Sequence, residues 1–202
     1  MKAMEASALP EGIVIRKDSE DTSSAPGRDG LEIERRFLVR VSSAAWTRLG
    51  EGRLFRQGYV RSVDPVVRIR VGEERGPVVT SKSGAGVRRT EAESVVNAAV
   101  ADALFAAAGR AVIEKVRWRL GRWELDRFLG SLDGLELLEI ELEEELEPLP
   151  PPPDGIKVLR EVTDDGRFTS AGIAQMKAKK RRAFVRKVYR KVRGWKDTRT
   201  SR

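Results

Sequence analysis

From Leu31 onward the chain is written in short runs in which apolar and polar residues alternate: 32–39, 54–61, 66–71, 78–82, 87–95, 112–120, 122–128 and 135–146. Period two is the spacing of a strand whose successive side chains point to opposite faces. Runs of this length, separated by Gly, Pro and Asp, predict an antiparallel sheet or barrel. Alanine-rich stretches at 42–49 and 98–108 predict helices, as do the shorter segments 156–161 and 170–179. The proline run 148–153 predicts a stiff linker that ends the last strand. Residues 1–30, rich in Ser, Gly, Pro and charge without periodicity, predict a segment that lacks fixed structure. The folded unit is then expected over 31–176, with 177–202 as a separate tail.

The polar positions of these runs are charged, and they carry both signs. Glu32, Glu34 and Arg36 share one strand face; Arg68 and Arg70 oppose Val67, Ile69 and Val71. Lys115, Arg117 and Arg119 oppose Val116, Trp118 and Leu120, and Glu139, Glu141 and Glu143 oppose Leu138, Ile140 and Leu142. A sheet with a solvated, salt-bridged outer face explains this pattern. So does a closed barrel with a polar lumen and helices covering its apolar outside. Alternation alone leaves the two at even odds.

Charge changes the picture only when it is divided along the chain. The formal net charge is +8, but residues 177–202 hold 13 Lys/Arg and one acid, Asp197, which leaves the remaining 176 residues at −4. The basic pI belongs to the tail, so it gives no reason to read the body as a nucleic-acid binder. Within the tail, Phe184, Val185, Val188, Tyr189, Val192 and Trp195 recur at helical spacing among the bases. That is a basic amphipathic helix, which docks on the domain, serves as a flexible solubilising end, or meets an anionic surface.

The 202 residues contain no cysteine and no histidine. Thiol nucleophiles, thiolate zinc sites, disulfides and imidazole-based triads are thereby excluded. The N-terminus lacks an apolar run of the signal-peptide kind, and with no cysteine the expected compartment is the cytoplasm. Clustered carboxylates without His or Cys favour a hard divalent cation, Mg²⁺ or Mn²⁺. Clustered Arg and Lys favour phosphate oxygens. Both in one cavity describe a site for a metal-chelated polyphosphate. Phosphoryl transfer asks mainly for positioning and charge neutralisation, so such a site is chemically sufficient. The Gly84-Ala85-Gly86 segment reads as a hairpin turn, not as a phosphate loop.

LEIERRFLV at 31–39 resembles the ExExK signature strand of the CYTH, or triphosphate tunnel, superfamily. The resemblance continues in order through RQGYV (56–60), VRIR (67–70), TSKS (80–83) and RRTEAE (88–93). IEKVRW (113–118), WELDRF (123–128), LEIEL (138–142) and EVTDDGRF (161–168) complete it. It implies an α+β fold: an eight-stranded antiparallel β-barrel, or tunnel, that binds a triphosphate with Mg²⁺ or Mn²⁺. Carried over by position, Glu32 and Glu34 resemble first-strand metal ligands, Glu139 and Glu141 their late-strand partners, and Asp126 part of a second metal site. Arg68, Arg70, Lys82, Arg89, Lys115 and Arg117 resemble the bases that grip phosphate, with Lys115 placed at the reacting group. Glu91, Glu93 and Glu124 orient those bases.

In members that hydrolyse inorganic tripolyphosphate, the Lys of ExExK pairs with the Tyr of QGY beside the reacting phosphate. Tyr59 matches the tyrosine, whereas position 36 is Arg. A guanidinium keeps the charge but does not lose its proton. Ser170 stands where the closing motif often has Asn, and it is expected to cap the last helix. The implied activity is triphosphate hydrolysis, with tripolyphosphate favoured by the RQGYV strand. A cyclase, a thiamine or nucleoside triphosphatase, or a binder without turnover are the alternatives, and the chain is compatible with a homodimer.

Overall fold

The computed structural model describes residues 14–15, 31–72, 76–84 and 88–193; of Val14, Ile15, Leu31, Glu32, Arg88 and 191–193 it describes the backbone only. The expectation for 1–30, the Ala85–Gly86 part of the proposed turn, and Trp195 therefore lie outside the described residues, apart from Val14–Ile15.

The strands are β1 (Val14–Ile15), β2 (Leu31–Val41), β3 (Glu51–Arg61), β4 (Val66–Val71), β5 (Val78–Ser83), β6 (Arg88–Val95), β7 (Val112–Leu120), β8 (Trp123–Phe128), β9 (Glu136–Leu142) and β10 (Ile156–Glu161). The helices are α1 (Ser43–Trp46), α2 (Ala98–Ala108), α3 (Ser170–Gln175) and α4 (Ala178–Arg193). Neighbouring strands run β3-β4-β5-β6-β2-β9-β8-β7, and β7 pairs back onto β3 from Gly58↔Val112 to Arg53↔Arg117. Every step of that ring is antiparallel, so the sheet closes into an eight-stranded barrel. Its members are the eight runs that alternate in the sequence.

Three expectations need correction. Segment 156–161 is a strand, not a helix. β2 is long enough to outlast its neighbour β6, which it meets only over Leu31–Ile33, and β10 fills the vacated edge by pairing with Phe37–Val41. An unpaired strand edge is a stronger determinant than the local pattern of one short segment. Segment 170–179 is two helices instead of one, because Met176 takes an extended conformation between α3 and α4. The cap of α3 is Thr169, whose hydroxyl accepts from the Gly172 amide; Ser170 is the first helical residue.

The core has two parts, set by the two faces of the strands. On the outer face, Ile33, Phe37, Val116, Trp118, Trp123, Leu125, Leu138 and Ile140 form one buried cluster. Trp46 of α1 packs edge-on against Trp118 at 5.1 Å, and the proline linker is anchored where Trp123 Nε1 donates to the Pro151 carbonyl at 3.1 Å. Helix α2 covers β3 at Gly58, where any Cβ would lie 2.9 Å from the Phe105 ring; this close approach is the reason for the glycine in RQGYV.

The inner-face positions Leu38, Tyr59, Ile113, Phe128 and Leu137 join Phe168, Ile173, Ala174, Val185 and Tyr189 in a second buried cluster. One end of the barrel is thus filled with apolar side chains and stoppered by α3 and α4. Of the three readings of the tail helix, the docked one is what the structure contains over Ala178–Tyr189. Tyr189 donates to the Val39 carbonyl and accepts from the Glu136 amide, and Arg181 donates to the carbonyls of Val112 and Ala174. Among the described residues no helix is long and apolar enough to cross a membrane.

Candidate active site in the barrel lumen

Alternation along closed antiparallel strands sends every second side chain inward. The cross-strand pairs show which set that is: Arg36 stands opposite Glu139, Glu139 opposite Glu124, Arg117 opposite Asp126, Tyr59 opposite Arg68 and Lys82 opposite Glu91. The charged faces of the sequence therefore converge on one lumen. The solvated-sheet alternative is set aside for these strands, since Arg36, Lys115, Asp126 and Glu139 are all buried.

Along β2, β9, β8 and β7 the charges form one continuous chain. Lys115 donates to Asp126, and Arg117 grips both Asp126 oxygens, Nε and Nη2 each at 2.6 Å. Arg117 also reaches Glu139 at 2.7 Å and pairs with Glu124. Glu139 takes Arg36 Nε at 2.6 Å on its other oxygen, Arg36 pairs with Glu34, and Glu34 takes Arg89 at 3.2 Å. On the facing wall, Arg68 lies 3.6 Å from both Glu91 and Glu93, Arg70 lies 3.4 Å from Glu93, and Lys82 lies 3.0 Å from Glu91. Glu91, Glu93 and Glu124 thus hold bases, as the sequence reading had them.

Burial and partners set the protonation states. Burial works against the Arg36 and Arg117 guanidinium charges, but Glu34 and Glu139 for Arg36, and Asp126 and Glu124 for Arg117, raise both above the ordinary arginine value. Burial opposes the Glu139 carboxylate too, yet Arg36, Lys115 and Arg117 hold it well below the usual range. Lys115 goes the other way: burial first, and the Arg117 charge second, lower its pKa. Burial also raises the Tyr59 phenol, against the pull of Arg68.

Two expected partnerships are absent from this arrangement. Residue 36 is not turned to the tyrosine. Arg36 is committed to Glu34 and Glu139, while the Tyr59 hydroxyl donates to Gln57 at 3.1 Å. Nor do three acidic groups converge closely enough to hold an ion among the described residues. Glu34 and Glu141 face each other across the β2–β9 ladder, with Glu139 two positions along the same face, and Glu141 is exposed at the rim. The Glu32 side chain lies outside the described residues. In kind the donors fit a hard cation, being carboxylate oxygens only. The oxygens of Glu34 and Glu139, however, are occupied by guanidinium groups.

Three contributors had no role assigned from the sequence. Gln57 is 1 % exposed and receives the Tyr59 hydroxyl; its inward parity with Phe55 and Tyr59 was the available signal. Thr80 is fully buried and donates to Glu93 at 2.9 Å. Thr163 accepts from the Arg36 amide at 3.0 Å, a contact made across 127 residues that no local pattern reveals.

A family model, the CYTH domain, matches residues 30–161. An inorganic triphosphatase from Acetivibrio thermocellus is 35 % identical over 152 residues, covering 72 % of this chain and 94 % of the relative. Two crystal structures of NE1496, one described as an inorganic triphosphatase, are 29 % and 32 % identical, cover 72 % of this chain and 95 % and 98 % of theirs, and give a TM-score of 0.49 each. The family match spans well over half of the chain, and the ladder closes as the resemblance implied: the chain belongs to the CYTH domain family.

Proposed function

We propose that this protein is a triphosphatase that cleaves the terminal phosphoanhydride of inorganic tripolyphosphate inside the barrel, in the cytoplasm. The observation that carries the reading is the inward convergence of Arg68, Arg70, Lys82, Arg89, Lys115 and Arg117 on one lumen. Each of these bases is held by a carboxylate, so the cationic array is set in place before an anion arrives. Preorganised charge of this kind is worth most where water is excluded. The 35 % identical relative carries the name inorganic triphosphatase, which supports the choice of substrate.

In this reading Arg68, Arg70, Lys82 and Arg89 bind phosphate oxygens along the substrate. Lys115, the most buried of these bases, and Arg117, which shares Asp126 with it, take up the charge that develops on the transferring group. Tyr59, fixed by Gln57, orients the reacting end, and Arg36 supplies a permanent positive charge beside Glu34. Glu32, Glu34, Glu139 and Glu141 are the residues that would hold Mg²⁺ or Mn²⁺, with Asp126 toward a second ion. A bound cation would supply charge neutralisation and water of lowered pKa.

The test is phosphate release from tripolyphosphate with Mg²⁺ or Mn²⁺, with cyclic AMP from ATP measured alongside. Turnover by the wild type and its loss in Glu34→Gln are expected. Release of no phosphate from any linear triphosphate removes the reading, and cyclic AMP as the main product replaces it with the cyclase.

A further inference from the structure

The departure at position 36 has a structural counterpart. Arg36 uses two different nitrogens on two different acids: Nε donates to Glu139 at 2.6 Å, and Nη2 pairs with Glu34. The same guanidinium therefore bridges β2 and β9, the two strands that carry most of the carboxylates assigned to the cation. It is also 5 % exposed, so water competes poorly for either contact. The remaining oxygens are engaged as well, Glu34 by Arg89 at 3.2 Å and Glu139 by Arg117 at 2.7 Å. A divalent ion approaching Glu34 and Glu139 meets carboxylates whose charge is already balanced.

We propose that Arg36 is a built-in competitor for the metal, an internal cation that must be displaced from Glu34 before an ion binds there. The proposal rests on the metal-dependent reading above and concerns this chain's own residue in place of the lysine of ExExK. The planar fork of arginine suits bridging two carboxylates, and its charge is permanent. A lysine ammonium is a compact point charge on a flexible stem, and it holds such a bridge less rigidly. The free protein is therefore in a metal-poor state. Substrate phosphates, which offer the guanidinium new oxygens, release Glu34 and promote ion binding. Metal and substrate affinities are then coupled, each strengthening the other by the same factor.

The experiment is Mn²⁺ binding followed by the electron paramagnetic resonance signal of the free ion. It uses the full chain at neutral pH, with and without tripolyphosphate, on wild type, Arg36→Lys and Arg36→Gln. Thermal midpoints establish that each variant is folded. Without tripolyphosphate, both variants are expected to bind Mn²⁺ about tenfold more tightly than wild type, because the ion no longer has to displace a rigidly held guanidinium from Glu34. Equal or weaker binding by both folded variants overturns the competitor role while leaving metal dependence standing. Absence of Mn²⁺ binding by every form, with or without tripolyphosphate, overturns the metal reading itself and this proposal with it.

Discussion

The two ends of the barrel interior are built from the same strands and the same inward positions, yet they are opposite in character. On β9, Leu137 and Glu139 both face inward; on β8, Phe128 and Asp126 do; on β7, Ile113 and Lys115. At one end the inward residues join α3 and α4 in an apolar cluster, and two positions along each strand they become an ion network. The apolar end is ordinary core, where burial itself stabilises. The charged end gains little net stability, because desolvation offsets much of the attraction between buried ions. Charges arranged at such a cost are best understood as a site. What sets them apart from surface ion pairs is the stopper formed by the apolar end, which keeps water out on that side.

This contrast can be broken or sharpened by substitution. The largest expected effect is Phe128→Ala at the apolar end. Its ring is fully buried, and unfolding in urea should show a loss of about 3–5 kcal/mol. Next comes Glu34→Gln at the charged end. Phosphate release should fall about a hundredfold, on the order of 2.7 kcal/mol of transition-state stabilisation, while the urea midpoint drops less than in Phe128→Ala, since Arg36 keeps Glu139 as a partner. A matching collapse of stability would erase the distinction between the two ends.

A smaller effect concerns acid. Glu139 is held well below the usual carboxylate range, so its carboxylate is favoured in the folded chain. Its contribution is present above the ordinary glutamate pKa and is lost as pH falls through the depressed folded value. The wild-type thermal midpoint should decline as solutions are acidified through that window, and Glu139→Gln should flatten this limb. The smallest effect is on the outside, where Arg122 pairs with Glu147 and is half exposed. Arg122→Ala should leave the thermal midpoint and turnover unchanged, since exposed pairs are individually weak.

Much of this was legible in the linear order of residues. A period of two fixes which side chains share a face, so the set on the charged face, from Glu34 and Arg36 to Glu139 and Glu141, could be listed before any coordinates, though not the side on which it lies. The eight barrel strands could be read for the same reason. Strand 156–161 could not, because its partner edge exists only once β2 has outrun β6. Nor could the fate of the tail helix be decided. Phe184, Val185, Val188 and Tyr189 predict an apolar stripe, but only the packing of Val185 and Tyr189 against the barrel shows what covers it.

The sequence by itself determined the alternation, the absence of thiol and imidazole chemistry, and a choice between two destinations for the charged faces. Tertiary structure decided between them. A single strand has two equivalent sides, and which of them is inside depends on ring closure between β3 and β7, made by residues far apart along the chain. It also decided that Arg36 belongs to Glu34 and Glu139 and not to Tyr59, because side-chain partnership depends on distances across strands that order along one strand does not encode.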